Sequence, residues 1–234
     1  AEFQRCVELQ KIIWGFEDVD VVPLRLFVVA MKIGGQVFGA FDAKEIIGFV
    51  MAVPGYRNGR VYMHSHMAAV LPDYQSRGIG RQLKLKQRED ALGRGIDLLE
   101  WTFDPLAFRN AHFNIERLGA IMRRYVRNQY GRTSSPLHGG LPTDRLVAEW
   151  WLATPRVEAV VRGEKVPHPA DAVRIHVPAA LHEVKKTDMA AAEEMQADVR
   201  QQFEDWFGRG YAVIGFESDD TGGTFLLAPY KGEK

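Results

Sequence analysis

A predicted strand, a glycine-containing loop and a predicted helix follow one another directly between residues 61 and 95. The first part, VYMHSHMAAV, is rich in β-branched and aromatic residues, which indicates a strand. Pro72 breaks this run, and Gly78 and Gly80 then open a segment of helix-forming residues. The chain is therefore expected to fold around a strand–loop–helix unit, with the amino end of the helix beside the carboxyl end of the strand.

The loop of this unit, QSRGIG at residues 75–80, has the features of a phosphate-binding loop. The first N–H groups of a helix lack acceptors within the helix, and the helix dipole adds partial positive charge beside them. Glycines allow the backbone to approach a bound group that a Cβ would exclude. A short Gly-x-Gly also matches ordinary tight turns. Four basic residues on or beside the first helical turns favour the phosphate interpretation, because a polyphosphate needs counter-charges: Arg77, Arg81, Lys84 and Arg88.

The pattern VxPxYQxRGIG after this strand resembles the acyl-CoA-binding segment of the GNAT N-acyltransferase superfamily. The similarity extends less sharply from about residue 2 to about residue 152. The segments HSHMAAV, EWTFDPL, RNAHFN and GLPTDRL resemble a bacterial group of predicted GNAT acyltransferases. The resemblance implies acetyl-CoA or another acyl-CoA as co-substrate. It also implies that the strand is splayed from its neighbour, so that its amides hold the pantetheine arm and the acyl carbonyl.

The same resemblance assigns the cofactor-binding residues. The loop that would hold the CoA pyrophosphate consists of Gln75, Ser76, Arg77, Gly78, Ile79, Gly80 and Arg81. The amides that would polarise the thioester carbonyl belong to Met67, Ala68, Ala69 and Val70.

Composition excludes several other classes of protein. The formal net charge is zero, which argues against a nucleic-acid binder that relies on neutralising phosphates. The sequence has neither an apolar run of membrane-spanning length nor a signal peptide. Cys6 is the only cysteine, so an internal disulfide and a cysteine-rich metal site are excluded. We expect a cytoplasmic protein without nucleic-acid, membrane or metal partners, and a homodimer stays open.

The elements around the central unit indicate an α/β (α+β) fold with a mixed, mostly antiparallel GNAT-type central sheet flanked by helices. Helical spacing predicts a helix over 2–14 and a second one that begins at Pro23, with Leu24, Phe27, Val28 and Met31 facing inward. The other predicted elements are strands at 36–41, 45–54, 96–103, 120–130 and 144–152, and a helix at 106–118. We predict a GNAT acyl-CoA-binding domain at 1–152, a connecting segment at 153–175, and a C-terminal strand–helix–hairpin extension at 176–234.

His64 and His66 are the candidate catalytic bases. Side chains two apart on a strand share a face. Amine acylation needs an unprotonated nucleophile, and a histidine with a pKa near 6.5 can take up the proton. The arylalkylamine acyltransferases resemble this chain further, with a His-x-His pair in the same strand. Two histidines bonded to their sheet neighbours are the alternative. A metal pair is less favoured, because the sequence offers no obvious third ligand.

Asn114 stands where many GNAT enzymes carry a tyrosine that protonates the departing CoA thiolate. The general acid is therefore open, although a thiol with a pKa near 8.5 leaves tolerably well without one. Asn114 is kept as a candidate catalytic residue, and Asn110, one turn earlier, as a candidate cofactor-binding residue. A solvated helix face is the alternative for both. Tyr125 and Tyr130 are substitutes for the acid, but ordinary packing explains them better.

These observations predict an acyl-CoA-dependent N-acyltransferase that acts by direct transfer in a ternary complex. The acyl group would be acetyl or another short one, and the acceptor a small-molecule primary amine such as an amino acid. In the superfamily the acceptor lies between two loops, which here are residues 15–22 and 133–142. Two alternatives stay open: a non-catalytic CoA-binding or assembly module, and an N-acetyltransferase that acts on a protein or peptide.

Overall fold

The computed structural model of the protein describes residues 2–131, 140–230 and 232. Most of the predicted acceptor loop at 133–142 therefore lies outside the described residues. The chain divides into two compact units, which in described residues are 2–101 and the part from 102 onward. The boundary predicted at residue 152 falls inside the second unit. The predicted α/β class is confirmed, with nine strands and flanking helices in the described residues.

The first unit contains the strand–loop–helix region. Its elements are α1 (Glu2–Trp14), α2 (Leu24–Lys32), β1 (Gln36–Asp42), β2 (Glu45–Arg57), β3 (Arg60–Val70), α3 (Ile79–Gly93) and β4 (Leu98–Phe103), whose last two residues belong to the second unit. β1, β2 and β3 pair antiparallel, and β3 pairs parallel with β4. A 3₁₀ turn at Pro72–Tyr74 joins β3 to the loop before α3.

The core of the first unit lies between the two leading helices and one face of β2 and β3. Phe27 of α2 and Phe49 of β2 are fully buried, with ring centroids 5.8 Å apart. The predicted inward orientation of Val28 and Met31 is wrong, because each is 48% exposed. α2 is apolar on more than one side, and only one row of its side chains can face the sheet. Phe27 and Ala30 occupy that row.

β3 contains a β-bulge at His66. Met51 of β2 pairs with Met67 and Ala52 pairs with Ser65, so His66 has no partner in β2. One inserted residue exchanges the faces on which the side chains before and after it lie. Met67 accordingly joins the core beneath α1 and α2. Ser65 lies on the opposite face, where its hydroxyl donates to Gln87 of α3 at 2.9 Å.

β3 and β4 part after a short ladder. Their pairing in the described residues consists of Met63 with Leu99 and His64 with Glu100. On the other edge of β3, the ladder with β2 continues as far as Val70. From Ser65 onward, β3 therefore remains paired on one edge while β4 has left the other. The splayed strand implied by the GNAT resemblance is present.

The second unit follows Trp101 in the chain. It contains α4 (Phe108–His112), a π-helical turn (Phe113–Arg117), β5 (Ile121–Val126), β6 (Arg145–Trp151), α5 (Pro155–Val161), β7 (Val173–Pro178), α6 (Leu181–Thr187), α7 (Met189–Gly208), β8 (Tyr211–Asp219) and β9 (Gly222–Pro229). The strands lie in the order β6-β5-β8-β9-β7, and each neighbouring pair in this order is antiparallel. A strand (β7), a long helix (α7) and a hairpin (β8 and β9) occur in the order predicted for the C-terminal segment, with α6 between the strand and the long helix. α5 lies within the segment predicted as a connection, and the helix predicted at 106–118 begins two residues later and ends in the π-helical turn.

Asp144 fastens α7 to the hairpin of β5 and β6. Its side chain is fully buried, and its Oδ2 accepts hydrogen bonds from Tyr125 Oη at 2.9 Å and from Arg200 Nη1 at 3.0 Å. Its Oδ1 accepts from the backbone N–H of Asn128 at 2.9 Å. Burial and the neighbouring carboxylate raise the pKa of Tyr125 far above its ordinary value, so the phenol stays protonated and donates. The C-terminal helix is thus part of the same packed unit as the hairpin.

Asp144→Asn is expected to lower the free energy of unfolding by about 2 kcal/mol, since hydrogen bonds to a charged group contribute roughly 1.5–3 kcal/mol each and the amide keeps only part of them. Urea unfolding followed by circular dichroism measures the change. Asp198→Asn, at an exposed position on α7, is the matched control and should shift the free energy by less than about 0.5 kcal/mol. Equal midpoints for the two variants would contradict this role of Asp144.

Candidate functional site

The loop before α3 leaves the amino end of this helix open. Gly78 is the N-cap residue, with φ +82° and ψ −2°, and Ser76 has φ +61°. No side chain in the described part of the chain caps the helix. A Cβ built on Gly78 would meet no atom of the described residues within 4 Å. The backbone at Gly78 therefore borders open space at the amino end of α3, and the N–H groups at such helix ends bind phosphate oxygens.

Side chains at the start of the loop hold it in place. Tyr74 Oη donates to Asp42 Oδ2 at 2.7 Å, and the Arg77 guanidinium lies 5.2 Å from the Tyr74 ring centroid. Gln75 Nε2 donates to the carbonyl of Val70 at 3.0 Å, and the Gln75 N–H donates to the carbonyl of Pro72 at 3.1 Å. The side-chain amide and the backbone N–H of Gln75 therefore both form hydrogen bonds that shape the loop. Arg77 is exposed and available to an anion.

Lys84 is not a phosphate counter-charge, contrary to the sequence-based expectation. It is 2% exposed, and burial lowers its pKa well below the ordinary value of a lysine. Its Nζ donates to Ser65 Oγ at 2.8 Å and lies 3.6 Å from the centroid of the Trp101 ring. In the sequence Lys84 is one basic residue among several on α3, and only the packing of the helix shows that it points into the unit.

The two histidines of β3 lie beside each other. Their ring centroids are 6.2 Å apart, with 39° between the ring planes. His64 precedes the bulge and is half-buried, whereas His66 is the bulge residue and is exposed. Surrounding protein atoms still desolvate the His66 ring enough to lower its pKa below 6.5. Its imidazole is therefore neutral at pH 7 and able to accept a proton.

A buried carboxylate lies on the same face as His64, and the sequence-based reasoning missed it. Glu100 of β4 is the ladder partner of His64 and is 2% exposed. Both carboxylate oxygens accept from the Arg57 guanidinium, Oε2 from Nη1 at 2.9 Å and Oε1 from Nη2. The Arg57 guanidinium also lies 4.8 Å from the Tyr62 ring centroid. An acidic residue inside the otherwise apolar run LLEWTF was the available sequence signal.

The residues predicted to polarise the thioester carbonyl follow the bulge. The side chains of Met67 and Ala69 are buried at 7% and 2% exposure, whereas Ala68 is exposed. All of them, with Val70, lie on the part of β3 that has parted from β4. They therefore lie on a strand edge that another backbone or an extended ligand can approach.

Asn110 and Asn114 lie in the second unit. Asn110 is exposed on α4, whereas Asn114 is 4% exposed within the π-helical turn, where its carbonyl accepts from the Ala120 N–H at 3.0 Å. A solvated helix face is therefore wrong for Asn114. π-Helical turns frequently occur at functional sites, and this one was not predicted. Tyr125 and Tyr130 both have partners within their unit: Asp144 for Tyr125 and the Thr102 hydroxyl for Tyr130, with 3.0 Å between the two oxygens.

Other chemistries find no support in the described ranges. Cys6 is buried, and burial raises the pKa of its thiol to about 11, so it stays a thiol at neutral pH. Within the described ranges, no group of three or more His, Cys, Asp or Glu side chains could hold a metal ion. None of the helices in these ranges is both long and apolar enough to cross a bilayer.

Residues 34–119 match the model of the acetyltransferase (GNAT) domain family. This segment includes the whole strand–loop–helix unit and the strand that carries Glu100. No curated protein matches the sequence significantly.

Solved structures share the fold. A protein of Desulfovibrio desulfuricans assigned to the GNAT acetyltransferase family has a TM-score of 0.52 and 15% identity, over 65% of this chain and 93% of the other. The ribosomal-protein-S18-alanine N-acetyltransferase of Escherichia coli has a TM-score of 0.51 and 17% identity, over 65% of this chain and 89% of the other. Arabidopsis thaliana Naa50, in complex with a bisubstrate analogue CoA-Ac-MVNAL, has a TM-score of 0.51 and 14% identity, over 63% of this chain and 91% of the other.

Proposed function

Because residues 34–119 match the model of the acetyltransferase (GNAT) domain, we propose that the protein transfers an acetyl or other short acyl group from acyl-CoA to a small primary amine in the cytoplasm. One observation carries the proposal: the uncapped amino end of α3 lies at the end of the strand that carries His64 and His66 and that parts from β4. A phosphate-binding element and two candidate bases therefore share one strand–loop–helix unit.

The loop fits the pyrophosphate of CoA. Gly78 leaves a space that a side chain would fill, and Arg77 supplies an exposed positive charge beside it. Anions bind at such helix ends because the N–H groups and the helix dipole both favour negative charge. The related fold of Naa50, which holds a CoA-containing bisubstrate analogue, supports acyl-CoA as the co-substrate.

The histidine pair fits the proton transfer that amine acylation requires. The amine nitrogen must lose a proton, form the C–N bond to the acyl carbon, and displace the CoA sulfur as thiolate. His66 is exposed, and its lowered pKa keeps the imidazole mostly in the neutral form that accepts a proton at neutral pH. His64 lies beside it on the face that also carries the Glu100 carboxylate, and the proton passes to it directly or through one water. The attack is direct, without an acyl-enzyme.

The same strand accounts for stabilisation of the developing oxyanion. Backbone N–H groups of residues 67–70 that point away from β2 lie on the edge from which β4 has parted. An N–H group held by a strand needs no reorganisation during the reaction, and one such donor contributes about 3–4 kcal/mol to transition-state stabilisation.

The experiment that tests this function combines a binding and a turnover measurement. Calorimetric titration with CoA measures the first, and thiol release from acetyl-CoA measures the second, with a panel of amino acids, alkylamines and a peptide with a free amino terminus. We expect saturable CoA binding and turnover with a small amine. Turnover confined to the peptide would replace the small-amine acceptor by a peptide. Tight CoA binding without turnover on any amine would favour a non-catalytic CoA-binding module, and absence of CoA binding would refute the proposal.

A further inference from the structure

A buried lysine lies directly beneath the histidine-bearing strand, and the proposed mechanism makes no use of it. Lys84 of α3 is 2% exposed. Its Nζ donates to Ser65 Oγ at 2.8 Å and to Gln87 Oε1 at 3.2 Å. The third direction is occupied by the face of Trp101, with 3.6 Å between Nζ and the ring centroid. The Nζ group therefore has two hydrogen-bond acceptors and one aromatic face around it.

The acceptors lie at the point where β3 and β4 part. The last ladder pair is His64 with Glu100, so Ser65 and Trp101 are the next residue on each strand. In a parallel ladder, the two residues that come one position after a pair lie on the same face of the sheet as each other. That face is opposite the one on which the side chains of the pair lie. Ser65 and Trp101 therefore both face α3, and Lys84 contacts one on each strand.

The position is also adjacent to the bulge. Ser65 pairs with Ala52 and immediately precedes His66, the inserted residue. The Ser65 hydroxyl donates in turn to Gln87 Oε1 at 2.9 Å, so Lys84, Gln87 and Ser65 form a closed set of hydrogen bonds. This set ties the backbone on one side of His66 to α3.

A lysine at this place is costly, because its charge is either kept in a buried site or given up through the lowered pKa. Removing a charge from water costs several kcal/mol even after relaxation, and a well-packed apolar side chain of similar volume is often neutral or stabilising there. The hydrogen-bond acceptors of Lys84 among the described residues are neutral. The arrangement is therefore poorly explained as a device for stability.

We propose that Lys84 is a positioning residue of the acyl-transfer site, whose Nζ group bridges Ser65 on β3 and Trp101 on β4 and keeps the two strands apart where the acyl-CoA arm enters. The inference rests on the proposed function for the identity of the ligand. The separation of the strands is a property of the free protein and is measured without any ligand. Without the Nζ group between them, Ser65 and Trp101 would be free to extend the ladder.

Lys84→Met tests the proposal, because methionine approximates the length of the lysine side chain without the Nζ group. We expect the KM for acetyl-CoA and the Kd for CoA to rise about 10-fold or more, while kcat falls less. In the free protein, hydrogen exchange of the amides at residues 67–70 should become slower, since the strands close. Lys86→Met, at an exposed position on the same helix, is the matched control and should leave both measurements unchanged. Unchanged or faster exchange in Lys84→Met, or unchanged CoA binding, would overturn the proposal.

A second pair of variants tests the proposal even if Lys84→Met does not fold. Trp101→Phe keeps an aromatic face for the Nζ group, whereas Trp101→Leu removes it at a side-chain volume close to that of phenylalanine. We expect CoA affinity in the order wild type, Phe, Leu, with the Leu variant as weak as Lys84→Met and no further loss in the double variant. Equal affinities for Phe and Leu would show that packing alone matters and would overturn the role of the contact between the Lys84 Nζ and the ring. Failure of the wild-type protein to bind CoA would instead refute the proposed function, and the exchange measurement would still decide whether Lys84 separates the strands.

Discussion

His66→Ala and His64→Ala are each expected to lower kcat for amine acylation by about 10²–10⁴-fold, the usual contribution of a general base. The reason is that an alkylamine is mostly protonated at neutral pH, and the two imidazoles are the proton acceptors on the strand beside the acyl-CoA loop. Thiol release from acetyl-CoA at saturating amine measures the effect. CoA affinity should change little, because the pyrophosphate binds at the amino end of α3.

His112→Ala is the matched control, since His112 is exposed on α4 and has no part in the proposed chemistry. It should retain the turnover of the wild-type protein. Unchanged turnover in both the His64 and His66 variants would remove the base assignment and leave the two side chains as structural histidines.

The lowered pKa of His66 fixes the direction of the pH dependence. Above this pKa the imidazole is neutral and accepts a proton, and as the pH falls through it the base is lost. The acidic limb of the wild-type rate should therefore lie below 6.5, the ordinary value for histidine. Taking the ratio of wild type to His66→Ala at each pH cancels the ionisation of the amine. The folded state favours neutral His66, so its contribution to stability is present above pH 6.5 and is lost as the pH falls through the two pKa values.

Gly78→Val is expected to weaken CoA binding by about 10²-fold. A side chain at φ +82° costs roughly 1–2 kcal/mol, and more for a β-branched residue, so part of the loss comes from a shifted loop. The rest arises because valine occupies the open space beside the first N–H groups of α3. Calorimetric titration with CoA measures the affinity, and the melting temperature shows how much of the effect is loss of stability.

Gly93→Ala provides the comparison for this variant. Gly93 is the last residue of the same helix, and a Cβ there also meets no atom of the described residues within 4 Å. Alanine should leave CoA affinity unchanged and raise the free energy of unfolding by about 0.5–1 kcal/mol, because glycine is the poorer helix residue. CoA binding by Gly78→Val equal to that of wild type would exclude this loop as the pyrophosphate site.

Local patterns in the sequence were sufficient for much of the first unit. β-Branched and aromatic residues in the stretch 61–70 indicated β3, and proline followed by glycine located the loop and the beginning of α3. The orientation of α2 was not predictable in the same way. Its apolar residues surround the helix, so Val28 and Met31 were as plausible inside as Ala30, and only packing against the sheet decides between them.

The missed features of the site depend on contacts between elements. Lys84 has the same sequence signature as its exposed basic neighbours, and its burial follows from how α3 lies on β3. Glu100 is recognisable only as an acidic residue in an apolar strand until its pairing with Arg57 and His64 is known. α5 and α6 are seven residues each, too short for a helical period to stand out beside nearby prolines and glycines.

The inserted residue in β3 also governs how this strand is aligned with strands of other proteins. The side chains of residues 60–65 and those of residues 67–70 alternate between the two faces of the sheet in opposite phase. An alignment without a gap at position 66 therefore assigns one half of the strand to the wrong face. A second His-x-His sequence is therefore equivalent to this one only if its own strand carries an extra residue at the second histidine. Counting identities along the strand does not detect the difference.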